Sequence, residues 1–282
     1  MPPAVFLAPN RRKKPHTGGM DIRAKAVVVT GAGGNGSGRA IARRFAREGA
    51  AVVICDINEG GARETIRQIE ADGGRGAFFA ADVRVEDQVR KLLDFAEKSF
   101  GALAAVVNNA SGPFHPDAPL AYWSETMQTD LLGTMYGIRW GIEALRRGGG
   151  GSIVSISSIS ALWHGRKRSA PAYDAAKAGV LRLTTGLAWL GEEENIRVNC
   201  LAPGWIASEQ VRAYWEPLTP EERKQRGAPS RLLELRQVAD AVMRLATDES
   251  LYGRVLVWWS EDEPCLIPWA DPGYAALAAT AV

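Results

Sequence analysis

Cysteine is scarce in this 282-residue chain. Cys55, Cys200 and Cys265 are odd in number and far apart, with no CxxC pair or ligand cluster. That argues against a disulfide framework and against any metal site, and suits a reducing, cytoplasmic compartment. No run of 18 apolar residues occurs, so no membrane-spanning helix is expected. Charge of either sign is in short surplus: 34 Lys and Arg against 32 Asp and Glu leave +2, too balanced to point to nucleic acid. Internal repeats are missing too. Apolar residues at 46% and charged residues at 23% exclude a disordered or collagen-like chain. Acids are absent from residues 1–20, which carry Arg11, Arg12, Lys13 and Lys14, so the remainder has a net charge of −2. The apolar stretch Ala4–Ala8 is too short for a signal-peptide core, and its charges follow rather than precede it. Residues 1–20 are therefore expected to be a disordered basic extension, 21–260 one folded domain, and 261–282 a C-terminal tail.

What is present is an alternation of short apolar runs with helical patterns. Strands are expected at Ala26–Thr30, Ala51–Asp56, Gly76–Ala81, Leu103–Asn108, Ser152–Ser157, Arg197–Leu201 and Arg254–Trp258. Their near-continuous hydrophobicity suits strands covered on both faces. Helices are expected near 38–48, 59–72, 86–99, 122–147, 172–191 and 236–247, with Gly49, Gly73–Gly74 and Gly101 as stops. The fold class is thus α/β, a single Rossmann-like, doubly wound, parallel seven-stranded sheet with helices on both faces. The long irregular stretch 205–231, containing Pro217, Pro220 and Pro229, is expected to be a lid.

The first strand runs into Thr30-Gly31-Ala32-Gly33-Gly34-Asn35-Gly36-Ser37-Gly38 and then a helix. Glycines there let backbone amides approach a pyrophosphate, and the helix N-terminus favours its charge. Gly31, Asn35, Gly36, Ser37 and Gly38 are the candidate cofactor contacts. Asp56, with Ile57 after it, closes the second strand, where an acid can accept both ribose hydroxyls and repel a 2′-phosphate. No basic residue lies inside the loop, so NAD is favoured, with NADP possible. The plain alternative is that Asp56 is an ordinary turn residue.

At this point the chain resembles the short-chain dehydrogenase/reductase family. Its TGxxxGxG loop is similar to Thr30-Gly31…Gly36-Ser37-Gly38, with one extra residue between the first two glycines. Asp82-Val83 resembles the pair whose acid meets adenine, and Asn108-Asn109-Ala110-Ser111 resembles NNAG with Ser111 for glycine. Ser157-Ser158, Tyr173-Asp174-Ala175-Ala176-Lys177 and Asn195…Asn199…Pro203-Gly204 follow in the family's order, covering residues 25–258. Pro203-Gly204-Trp205-Ile206-Ala207-Ser208 is similar to PGxIxT. The resemblance implies cofactor contacts at Asp82, Val83, Asn109, Ala110, Ser111, Pro203, Gly204, Ile206 and Ser208. It also implies a dimer or tetramer, most simply a homotetramer, with helices 122–147 and 172–191 at one interface.

Tyr173 and Lys177 are four apart on a predicted helix and share a face. A phenol titrates near ~10, and an ammonium nearby stabilises its phenolate, the tuning a general acid/base needs. The resemblance implies that Tyr173 exchanges a proton with an alcohol or carbonyl oxygen, that Ser158 bonds that oxygen, and that Lys177 and Tyr173 also meet the cofactor. Ser160 is the second choice for the serine. Asp130 stands where the family has a catalytic asparagine; it could still accept from a bridging water, and its charge should raise the Lys177 pKa. Arg166-Lys167-Arg168 is a solvated turn or a clamp for an acidic substrate. Phe114, His115, Trp163, His164, Trp205, Tyr214 and Trp215 are candidate pocket walls, suggesting a bulky, partly apolar small-molecule alcohol or ketone. The expected activity is NAD-dependent hydride transfer to or from a secondary alcohol or ketone. The alternatives are an NADPH-preferring carbonyl reductase and a non-catalytic NAD-binding sensor or scaffold.

Overall fold

Runs such as Ala26-Val27-Val28-Val29-Thr30 are dominated by β-branched residues, and a pleated strand buried on both faces is where such side chains pack best. The computed structural model describes residues 19–112, 120–163 and 170–268 and places this run at the centre of a sheet. In chain order the strands are β1 Ala26–Thr30, β2 Ala51–Asp56, β3 Arg75–Ala80, β4 Leu103–Asn108, β5 Gly151–Ile156, β6 Ile196–Pro203, β7 Val255–Trp258 and β8 Cys265–Leu266. Their spatial order is β3-β2-β1-β4-β5-β6-β7-β8. All neighbours are parallel except β8, which lies antiparallel to β7. The sheet therefore has eight strands, not the seven expected. The extra one comes from the first residues past the expected domain end, where Ile267 N donates to Val255 O at 3.0 Å.

Alternation along each strand divides the core in two. Val27, Val29, Val52 and Ile54 pack with Ile41, Phe45 and Val242 on one face. Val28, Val53, Val106 and Ile153 pack with Leu92, Leu93 and Leu145 on the other. The first face is covered by α1 Ser37–Arg47, α2 Glu59–Ala71 and, far along the chain, α10 Leu235–Thr247. The second is covered by α3 Glu86–Phe100 and α5 Gly133–Arg147. The helix expected over 122–147 is three segments: α4 Ala121–Thr126, a π-helical turn Met127–Leu132, and α5. The one expected over 172–191 ends as α6 Pro171–Gly186, with α7 Trp189–Glu193 after a break. The stretch expected to be irregular contains α8 Glu209–Trp215 and α9 Pro220–Arg226. Thr219 and Glu222 form a reciprocal capping box with Pro220 in the first turn, and Gly227, at φ +64°, ends α9.

Residues 1–18, the basic extension apart from its last two positions, lie outside the described residues, as do residues 269–282 of the tail. Among the described residues no helix is long and apolar enough to cross a membrane.

Candidate active site

The sheet order reverses at β1, which pairs with both β2 and β4, and the loops after β1 and β4 diverge to opposite sides. Register sets their level: Thr30 lies opposite Cys55, Asn108 opposite Ser155, and Ser155 opposite Cys200. The loops after these strands open on one cleft of about 1570 Å³ at the carboxyl edge of the sheet. A switch point of this kind is where open α/β sheets bind ligands.

Sixteen of the sequence-predicted site residues line that cleft: Gly31, Gly36, Ser37 and Gly38 at one end, Asp56, Ile57, Asp82 and Val83 along one side, Asn109, Ala110 and Ser111 opposite, and Ser158, Tyr173, Gly204, Ile206 and Ser208 at the far end. Asn35, Asp130, Lys177 and Pro203 are not among the residues lining it.

The glycine loop is shaped by close approaches. Gly31 has φ +68°, and a Cβ there would lie 2.6 Å from Ala110 Cα. A Cβ on Gly38 would lie 2.1 Å from Gly31 O, whereas Gly34 and Gly36 face open space. Gly36 precedes α1 without any side-chain cap, so the first amides of an 11-residue helix open toward the cleft. Open glycine surface and an uncapped helix N-terminus fit a pyrophosphate. Asn109 is committed to the protein itself: its amide donates to Thr30 O (3.0 Å) and Gly31 O (3.1 Å), and its carbonyl accepts from Ser37 Oγ at 2.7 Å. It joins the loops of β1 and β4.

The glycine loop reaches the β2–α2 turn. Gly33 N donates to Asp56 Oδ2 at 2.7 Å, while Asp56 Oδ1 accepts from Asn58 N at 2.8 Å. Arg39, the first residue after the glycine loop, holds this path. Its guanidinium donates to Thr65 Oγ1, Asn35 Oδ1, Gly33 O and Gly61 O. Asn35 in turn donates to Glu209 Oε2 at 3.2 Å, linking the loop to the start of α8. Beside Val83 on the cleft wall, the Arg84 guanidinium, hydrogen-bonded to Asp82, holds its carboxyl below the usual carboxylate range. Arg84 was missed; its place two residues after Asp82 was the available signal.

At the other end, Pro171 opens α6 and puts Tyr173 and Lys177 on its inner face. Ser157 Oγ donates to Lys177 O at 2.7 Å, locking the end of β5 to α6, and Ser158 then points into the cleft. Ser158 Oγ accepts from Ser160 N at 3.1 Å. The Ser160 hydroxyl is buried with no hydrogen-bond partner among the described residues. Lys177 Nζ sits 5.4 Å from the Tyr173 ring centroid and donates to Ile156 O at 3.1 Å. It also meets Asp130 Oδ1 at 2.9 Å, with both side chains at most 3% exposed. Asp130 thus reaches Lys177 directly. Burial alone would push the ammonium down; the Asp130 carboxylate, aided by Tyr173, outweighs it, so Lys177 stands above the ordinary lysine value.

Over the cleft lie α8 and α9, contributing Gln210, Val211, Tyr214, Gln225 and Arg226. Trp205 and Tyr214 pair at 6.0 Å between centroids and line the wall as expected. Trp215 does not: its indole donates to Pro229 O at 2.7 Å and Arg223 covers its ring at 3.5 Å. Trp163 packs edge-on against Trp259 at 5.8 Å, away from the cleft wall. Phe114, His115, His164 and Arg166–Arg168 lie outside the described residues. Pro203 ends β6, and Gly204 must be small, since a Cβ would lie 2.4 Å from Ser260 Oγ.

The short chain dehydrogenase family model matches residues 25–218. A cis-4-hydroxycyclohexanecarboxylate dehydrogenase of Sinomonas cyclohexanicum is 36% identical over 235 residues, covering 81% of this chain and 91% of that protein. A 7alpha-hydroxysteroid dehydrogenase of Escherichia coli is 30% identical over 227 residues, covering 79% and 87%. Among solved structures, a 7 alpha-hydroxysteroid dehydrogenase complexed with NADH and 7-oxo glycochenodeoxycholic acid matches with a TM-score of 0.74 at 28% identity, covering 85% of this chain and 94% of that one. With the cleft built from the motifs that define the group, this chain belongs to the short-chain dehydrogenase/reductase family of oxidoreductases.

Proposed function

We propose that this oxidoreductase uses NAD to interconvert a secondary alcohol and its ketone, with Tyr173 as general acid/base. The observation that carries the proposal is Tyr173 and Ser158 on one cleft wall with the buried Lys177 ammonium behind the phenol ring. When bound, the nicotinamide supplies or accepts the hydride. Gly31, Gly36, Ser37 and Gly38 would hold the pyrophosphate and Asp82 and Val83 the adenine end, with the backbone at Ile206 meeting the carboxamide, Ser208 the phosphate side, and Ala110 also against the cofactor. Ser158 bonds the substrate oxygen and fixes its distance from Tyr173. Tyr173 takes the proton as an alcohol is oxidised and returns it as a ketone is reduced. Lys177 stabilises the negative charge that develops on the phenol oxygen.

NAD is preferred because the Asp56 carboxylate faces the ribose end of the cleft. Arg39, the cation nearest that loop in sequence, already donates to four protein groups. Titration with both cofactors should favour NAD by at least about tenfold, and Asp56→Ser should narrow that preference. An unchanged ratio in that variant would remove Asp56 from the argument. Trp205 and Tyr214 support a bulky, partly apolar substrate, and both relatives named above act on a hydroxyl carried by a ring. A panel of cyclic secondary alcohols, read by reduced-nicotinamide absorbance, tests this.

A homodimer or homotetramer is supported by exposed Leu132, Met135 and Trp189 beside a hollow lined by Ile138, Ile142, Leu183 and Leu187. A cytoplasmic setting suits the free thiols of Cys55, Cys200 and Cys265.

A further inference from the structure

Two departures from the family pattern, Ser111 in the NNAG segment and Asp130 in place of asparagine, are 19 residues apart in sequence. In the fold they touch: Ser111 Oγ donates to Asp130 Oδ1 at 2.5 Å. Gly112 N donates to Oδ2 at 3.2 Å, and Lys177 Nζ meets Oδ1 at 2.9 Å. The π-helical turn Met127–Leu132 carries Asp130 to this point, and Gly179 lets α6 approach closely, since a Cβ there would lie 2.8 Å from Leu131.

We propose that Ser111 and Asp130 work as one positioning unit, in which the Ser111 hydroxyl and Gly112 amide hold a buried carboxylate that clamps Lys177 directly. Three donors converge on the carboxylate, and a carboxylate is acceptor-only, so it can satisfy all three. An asparagine would turn its NH₂ toward one of those donors. A residue without a hydroxyl at 111 would leave the buried Asp130 carboxylate with one donor fewer, a costly state. Each replacement is therefore suited to the other. The clamp also fixes what Lys177 can offer: of its three N–H bonds, one goes to Asp130 and one to Ile156 O, leaving one for a ligand. Neither Ser111 nor Asp130 need touch the reacting atoms; both act through Lys177. The titratable groups bearing on Lys177 are Asp130 from the π-helical turn, Tyr173 from α6 and Cys200 from β6.

This rests on the proton-transfer reading above, and the test separates the two. The cycle comprises wild type, Ser111→Ala, Asp130→Asn and the double variant, with Ser111→Thr as the hydroxyl-keeping control. Urea unfolding of the cofactor-free proteins should give a coupling of at least about tenfold in the unfolding equilibrium constant between the two sites. In turnover, Ser111→Ala should lower kcat/KM at least about tenfold when Asp130 is present, and less than about threefold in the Asp130→Asn background. Ser111→Thr should recover most of the loss. The alkaline limb of the pH profile should move to lower pH in Asp130→Asn, because the ammonium loses its carboxylate. Additive effects in both the unfolding and kinetic cycles, or an alkaline limb that stays in place, would overturn the inference. If Tyr173→Phe retained full turnover, the proton-transfer reading would fail by itself, and the cofactor-free cycle would still decide whether Ser111 and Asp130 are coupled.

Discussion

Lys177 shows how far a single side chain depends on its surroundings. Its stem and ammonium are nearly wholly removed from water, and its charge is held there by Asp130 and Ile156 O. Lys177→Met would keep the packing volume but leave the Asp130 carboxylate buried without its cation. Breaking one side of such a pair costs about 3–5 kcal/mol, so urea unfolding at neutral pH should show a loss of that order. The pH dependence has a definite sign. The folded-state value of Lys177 lies above its unfolded one of about 10.4, so its contribution is fully present below that pH and is lost as pH rises through the folded value. The gap between wild type and Lys177→Met should accordingly narrow as the pH is raised from neutral into strongly alkaline solution. A constant gap across the range would mean that Lys177 contributes packing rather than charge.

At the scale of elements, the glycine loop behaves as one piece with Arg39 as its brace. Arg39→Met should raise the KM for NAD about tenfold while leaving kcat within about twofold, the pattern of lost uniform binding. A loss confined to NADP would instead make Arg39 a phosphate clamp. The elements differ in how far local sequence announces them. Strands such as Ala26–Thr30 and Ala51–Asp56 are continuous apolar runs, and their bounds follow directly from composition. β8 has only Cys265 and Leu266, too few residues to carry a pattern, and its place is set by pairing with β7. α8 and α9 were hidden because Pro217 and Pro220 read as breakers. Thr219-Pro220-Glu221-Glu222 is nevertheless a helix start, with proline where its missing N–H costs nothing. The site shows the same division. Gly31, Ser158 and Tyr173 lie on strand-end and helix signals that local reading reaches. Asp130 contacting Lys177, Arg39 bracing Asn35, and Trp215 turned under Arg223 are tertiary outcomes without a local signature.

For the molecule as a whole, the fold brings the strand ends to one level, with residues of α8 and α9 lining the cleft they open on. The two ends of the 205–231 segment are tied to the segment after β7: Trp205 N donates to Ser260 Oγ at 2.8 Å, and Arg231 donates to Ser260 O and Glu261 O. The end of the described chain thereby joins the architecture of the cleft. Opposite, the apolar hollow beside α5 and α6 is the surface on which self-association should depend. Met135→Arg should shift the sedimentation profile toward a smaller species; an unchanged assembly state would place the interface elsewhere.

The proposed function turns on Tyr173 moving the proton in an NAD-linked alcohol oxidation. Its most direct test is turnover of wild type and Tyr173→Phe with NAD and a cyclic secondary alcohol, alongside NADH binding to both proteins. Equal binding is expected, with a fall in kcat of at least about 10²-fold for Tyr173→Phe, the usual scale of a lost general acid/base. Equal turnover by the two proteins would contradict the claim.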